Sequence, residues 1–153
     1  MSRSIFSILF LGFSLGCSRP ELVSSEEQEA MALSSPTQAT LALQQPTQVG
    51  SLRVRLQKID DSRCPMNAMC IRYGSAVADF QIEDSQGNSA AKRLYLGDAL
   101  PAPDNRGSRT ADTVEVALGN RHYFLILSDV QPYPNTSDSI PPEKKVTVSV
   151  LSL

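Results

Sequence analysis

The feature that most constrains this chain is an alternation of period two. Leu52, Val54 and Leu56 alternate with Arg53, Arg55 and Gln57. Successive side chains of a strand point to opposite faces, so such a segment buries its apolar half only as a β-strand. The same rhythm returns where Ala76, Ala78, Phe80 and Ile82 alternate with Val77, Asp79 and Gln81. Shorter runs cover 40–43, 93–96, 113–118, 121–128 and 145–153. Turn chemistry separates them: Asp84-Ser85-Gln86-Gly87-Asn88 is a turn cluster, and Gly119-Asn120 is a two-residue hairpin signal in which glycine accepts positive φ. A long loop, dense in Pro, Asp, Asn and Gly, fills 97–112. About seven short strands without a convincing helix predict an all-β fold, a single antiparallel β-sandwich or small barrel. The domain is expected over 38–153, ample for one core and too short for two ordinary domains.

The first residues follow another logic. Arg3 precedes twelve residues, 5–16, without charge, Asn, Gln or Pro, and Cys17 follows directly. Twelve is the length of a signal-peptide apolar region and falls short of the roughly 20 residues that span a bilayer. Ser14-Leu15-Gly16-Cys17 resembles a bacterial lipobox, in which a small residue precedes a cysteine that becomes acylated, with palmitate among its chains. Here Leu15 stands two places before the cysteine rather than the usual three. Residues 1–16 are therefore expected to be a lipoprotein signal peptide and Cys17 the lipidation site. Residues 17–37 are expected to form a flexible tether, since they are rich in Ser, Glu and Gln and lack aromatics. A short helix over 26–33, capped by Ser24 or Ser25, fits within it. The expected location is the cell envelope, lipid-anchored and extracytoplasmic, on the outer membrane where there is one.

Three cysteines make an odd count for an exported chain. If Cys17 carries lipid, Cys64 and Cys70 remain as one pair. An oxidising compartment and five intervening residues favour a disulfide between them. A ring this small contributes roughly 2 to 3 kcal/mol, so it shapes the loop more than it stabilises the fold. Arg63 can pair with Asp60 or Asp61 at the loop entrance. The run Asp61-Ser62-Arg63-Cys64-Pro65, with Cys70 following and Gln131-Pro132-Tyr133-Pro134 before the last strand, resembles a group of small uncharacterised bacterial lipoproteins. An aromatic often follows the second cysteine closely in that group, where this chain has Ile71-Arg72-Tyr73-Gly74. The resemblance covers about 50–153; it implies a β-rich exported domain and no reaction.

Asp61, Arg63, Met66, Met69 and Tyr73 make up the candidate binding loop. Pre-ordering by the disulfide would lower the entropy cost of association with an envelope protein or peptide, through Met66, Ala68 and Met69. The commoner fate of such side chains is to tuck into the end of the sandwich, and that is the expectation. A redox pair would have two intervening residues rather than five, and a zinc site would need ligands beyond the one histidine. His122 reads as a surface strand residue, since no nucleophile elbow accompanies it. Asp98, Asp104, Asn105 and Asp112 could weakly hold calcium but fit solvated turns better. Asn135-Thr136-Ser137 has the form of a glycosylation sequon and reads as loop chemistry. Tyr133 reads as packing against the sheet edge. No catalytic residue, metal or cofactor is assigned. A formal net charge of −2 without a basic patch gives no reason to expect nucleic acid. The expected role is a membrane-anchored binding or envelope-structure module; the alternatives are a hydrolase with a loop-borne site and a protease inhibitor using the bridged loop.

Overall fold

In the computed structural model, which describes residues 35–100, 102–104, 107–140 and 142–153, the alternating segments pair into two antiparallel sheets. The expected signal segment, Cys17 and the expected tether up to residue 34, with the short helix placed in it, lie outside the described residues. One sheet has the order β1 (Thr37–Ala42), β9 (Lys145–Ser152), β8 (Arg121–Gln131), β7 (Asp112–Leu118). The other has the order β2 (Pro46–Val49), β3 (Leu52–Asp61), β4 (Ser75–Glu83), β5 (Ser89–Asp98), β6 (Ser108–Arg109). Among the described residues there is no helix.

The all-β sandwich holds, with nine strands rather than seven. The two additions are the ones alternation cannot mark. β2 opens on Pro46 and pairs only with β3, as an edge strand can, because proline lacks the N–H a central strand must donate. β6 is two residues long, less than one period of the pattern. β5 also begins four residues before its apolar run, because pairing with β4 from Ser89↔Glu83 onward carries Ser89-Ala90-Ala91-Lys92 into the sheet.

The inner faces meet where the alternation places them. Val54, Leu56, Phe80 and Ile82 from one sheet are fully buried with Val116, Leu127, Val146 and Val148 from the other. Burial of each such side chain contributes about 1.5 to 3 kcal/mol. On the open edge of β5, Lys92 lies opposite the inward Phe80, and an inward charge discourages a foreign strand from pairing there.

Two bulges reset which residues face the core. The β3–β4 pairing slips between Leu56 and Lys58, and the β8–β9 pairing slips between Leu127 and Asp129. Each adds one residue, and with a period of two one residue exchanges the faces. Beyond the first bulge the inward parity passes to Ile59 and Asp61; beyond the second it passes to Val130, which is fully buried.

The strands run between two unlike poles. Tight turns at 50–51, 84–88 and 119–120 mark one, and there Leu153 N–H donates to the His122 carbonyl at 3.0 Å. Thr37 pairs with Val150, so the chain enters the sandwich toward this same pole. The loop 62–74 and the described residues of 99–107 and 132–144 gather at the other, the bridged-loop pole.

Candidate functional site

The bridged-loop pole is built on a buried ion cluster. The bulge in β3 turns Asp61 inward and leaves Asp60 outside, so the choice between them for Arg63 is made by strand parity. Arg63 grips Asp61 with both prongs of its guanidinium: Nε donates to Oδ1 at 2.8 Å and Nη2 to Oδ2 at 2.7 Å. Such paired, charge-assisted bonds are among the stronger hydrogen bonds a protein makes. Nη2 also donates to the Val130 carbonyl at 2.8 Å, and the guanidinium lies 4.3 Å from the centre of the Tyr133 ring. Lys144 adds a second cation, 3.0 Å from Asp61 Oδ2, and donates to the Pro132 carbonyl at 2.5 Å. The cluster thus ties the β3–β4 loop to the β8–β9 loop. Asp60 pairs with Lys58 at the surface. Asp61 and Arg63, with side chains only 4% and 7% exposed, are turned inward and hold the loop up.

Burial alone would raise the Asp61 carboxyl. The hydrogen bonds and charges of Arg63 and Lys144 outweigh it and hold the group below its ordinary 3.8. A depressed folded value contributes stability that is present above the ordinary carboxylate range and lost as pH falls through the folded value. We expect the denaturant midpoint to fall as pH drops from about 5 toward 3. Asp61→Asn should start lower and show a flatter acid limb. Parallel acid limbs in the two proteins would contradict the assignment.

On this base sits the ring closed by the Cys64–Cys70 disulfide, with Cα atoms 5.9 Å apart. Its backbone is braced. Cys64 N–H donates to the Tyr73 carbonyl at 2.6 Å, Met66 N–H to the Pro134 carbonyl at 3.1 Å and Ala68 N–H to the Pro65 carbonyl at 3.0 Å. Asn67 reaches across to the neighbouring loop, accepting from Thr136 N–H at 3.0 Å and donating to Ser137 Oγ at 3.1 Å. Asn135-Thr136-Ser137 is thus engaged in loop-to-loop bonding.

Met66, Met69 and Tyr73 do not tuck into the sandwich. They are 72%, 102% and 80% exposed, and Ile71, which the alternation and the cysteine spacing do not single out, is 104% exposed. The physical reason is twofold. The seven-residue ring is too short to fold Met66 and Met69 back over the sandwich end, and the ground beneath it and the following Ile71–Tyr73 is taken by the Arg63 cluster. Beside the ring an open cavity of about 590 Å³ is lined by Met66, Pro132, Tyr133, Asp138 and Pro142. Tyr133 serves chiefly as the face on which Arg63 lies.

Across the same pole stands a second clamp. Asp112 shares strand parity with the inward Val116 and Leu118 and is buried. It accepts from Arg109 Nη1 at 2.8 Å, from Tyr95 N–H at 2.9 Å and from Thr113 N–H at 3.1 Å. Arg109 also bonds Asp104, while its buried Nε finds no partner among the described residues. The expected solvated turn holds for Asp104, which is exposed in a turn while bonding Arg109, and is corrected for Asp112, which is buried on the guanidinium. Asn105 lies outside the described residues. Among the described residues no three His, Cys, Asp or Glu side chains gather as a metal would require.

His122 lies at the opposite pole on the outer face of β8, its Nδ1 2.6 Å from Glu115 Oε1. A cavity of about 330 Å³ beside it is also lined by Ser51 and Ser152. Ser152 pairs with the buried Tyr123, so the pleat points it to the face opposite His122. Comparisons with protein-family models, with curated proteins and with solved structures find no match.

Proposed function

We propose that this chain is an extracytoplasmic lipoprotein, anchored to a membrane through Cys17, that acts as a binding module with the bridged-loop pole as its contact surface. The observation that carries the reading is the contrast within that pole. Its ionic groups Asp61, Arg63 and Lys144 are turned on one another, while Met66, Met69, Ile71 and Tyr73 are held out in solvent. Large apolar side chains kept exposed on a stiffened backbone are costly unless something covers them. The stiffening also lowers the entropy lost when it does. The lipobox and the Asp61-to-Pro65 run support an exported, lipid-bearing chain of the group that these motifs resemble.

The anchor has a direct test. Acyl chains contribute about 0.8 kcal/mol per buried methylene, and two of them already give stable attachment. Cys17→Ala should move the protein from the membrane fraction to the soluble fraction. Retention on salt-washed membranes would refute the anchor.

A further inference from the structure

We propose that the tip of the bridged loop, Met69, Ile71 and Tyr73 with Arg72 among them, is a lipid-contacting element that enters the interfacial layer of a bilayer. This deepens the proposal of a lipid-anchored binding module and rests on it for one point, the nearness of a membrane.

The form of the tip suits a lipid surface. Met69 and Ile71 stand clear of the fold, so what receives them need only be apolar and deformable. The base of the loop is braced, with the N–H groups of Cys64, Met66 and Ala68 bonded within the fold, and residues 69–73 enter only the hydrated interfacial layer, where water and headgroups still accept hydrogen bonds. Arg72 is exposed between Ile71 and Tyr73, placing a cation and a phenol hydroxyl at the level where phosphate headgroups meet the acyl chains. The nearby surface carboxylate of Asp60 is paired with Lys58 at 2.6 Å, which offsets its repulsion of anionic headgroups.

Length permits the contact. The long axis of the domain is set by ten-residue strands such as β3, about 33 Å at 3.3 Å per residue. The nineteen residues between Cys17 and Thr37 have a contour of up to about 65 Å. Although the chain enters at the far pole, this exceeds the length of the domain, so the sandwich can lie over and bring its tip to the bilayer that holds Cys17. Attachment at one point raises the effective concentration of the second, so a tip of modest intrinsic affinity suffices.

The chain contains no tryptophan, which gives the test a clean reporter. Ile71→Trp in the full-length lipidated protein puts one indole at the tip, and Gln86→Trp puts one on the exposed β4–β5 turn at the other pole. Each variant is reconstituted into vesicles of phosphatidylethanolamine and phosphatidylglycerol, with and without brominated acyl chains. The proposal expects the emission of Ile71→Trp to shift to shorter wavelength and to be quenched by bromine. Met69→Asp in the same chain should abolish both effects, and Gln86→Trp should show neither. Water-like, unquenched emission from Ile71→Trp in a vesicle-bound chain would overturn the proposal and leave a protein partner as the claimant for the tip. The anchor is read separately: Ile71→Trp combined with Cys17→Ala lacks the attachment that raises the tip's effective concentration and should bind the same vesicles far more weakly than the anchored chain; equal binding would refute the anchor while leaving the tip's contact with lipid in place.

Discussion

Arg63→Ala is expected to lower the stability of the domain by about 3 to 5 kcal/mol, the usual cost of removing one partner from a buried ion pair. The loss has three sources. Asp61 keeps Lys144 and the backbone N–H of residue 63 but loses the guanidinium that had gripped both of its oxygens. The Val130 carbonyl loses its side-chain donor. The Tyr133 ring loses the plane stacked on it. For a domain of this size the melting temperature should fall by roughly 10 °C or more. Arg63→Lys should lie between the two, since it keeps the charge but loses the fork and the stack. Thermal and urea unfolding of the three proteins decide the matter; a change below about 1 kcal/mol in Arg63→Ala would place Arg63 among ordinary surface pairs.

Gly74→Ala carries the second large expected effect. Gly74 has φ +67, and a Cβ there would lie 2.0 Å from the Ser62 carbonyl oxygen. That atom is backbone, fixed by the start of the bridged loop, and cannot step aside as a flexible side chain would. Gly97 presses on the same spot, since its own Cβ would come within 2.7 Å of the Gly74 carbonyl. Gly87 provides the comparison: its φ is +87, with nothing within 4 Å of an added Cβ. Both substitutions bear the cost of a left-handed conformation, about 1 to 2 kcal/mol. Gly87→Ala should show little more than that. Gly74→Ala should lose about 3 kcal/mol or more, because the loop backbone must move as well. Equal losses in urea unfolding would mean that the close approach to Ser62 does not constrain the fold.

The sandwich was legible because alternation is a direct record of burial. Leu52, Val54 and Leu56 in β3, and Ala76 to Ile82 in β4, could not be read otherwise. The bridged pair was legible by parity of cysteines. Other features were hidden by the same logic. β6 is too short to show a period. The bulges at Gln57 and Ser128 change which residues face inward without changing the residues, so nothing in the run from Gln57 to Asp61 told Asp60 from Asp61. Exposure of Met66, Met69 and Ile71 was illegible because burial in an irregular loop depends on what lies beneath it, here an arginine bonded to a carbonyl 67 positions along the chain. The clamp on Arg109 did leave a trace. Asp112 sits in register with Val114, Val116 and Leu118, and a carboxylate in a buried register calls for a cation close by.

The placement of β1 bears on how the molecule would carry load. Among the described residues β1 is paired in a ladder with β9 and no other strand, through six register pairs from Thr37↔Val150 to Ala42↔Lys145. The ladder bonds of an antiparallel pair lie across the strands. A pull applied before Thr37 and resisted at the bridged-loop pole would run along β1, so all of these bonds would be strained together in shear instead of being unzipped one after another. If the chain is held at one end and occupied at the other, the strand joining it to its tether is set in the orientation that best resists being drawn out.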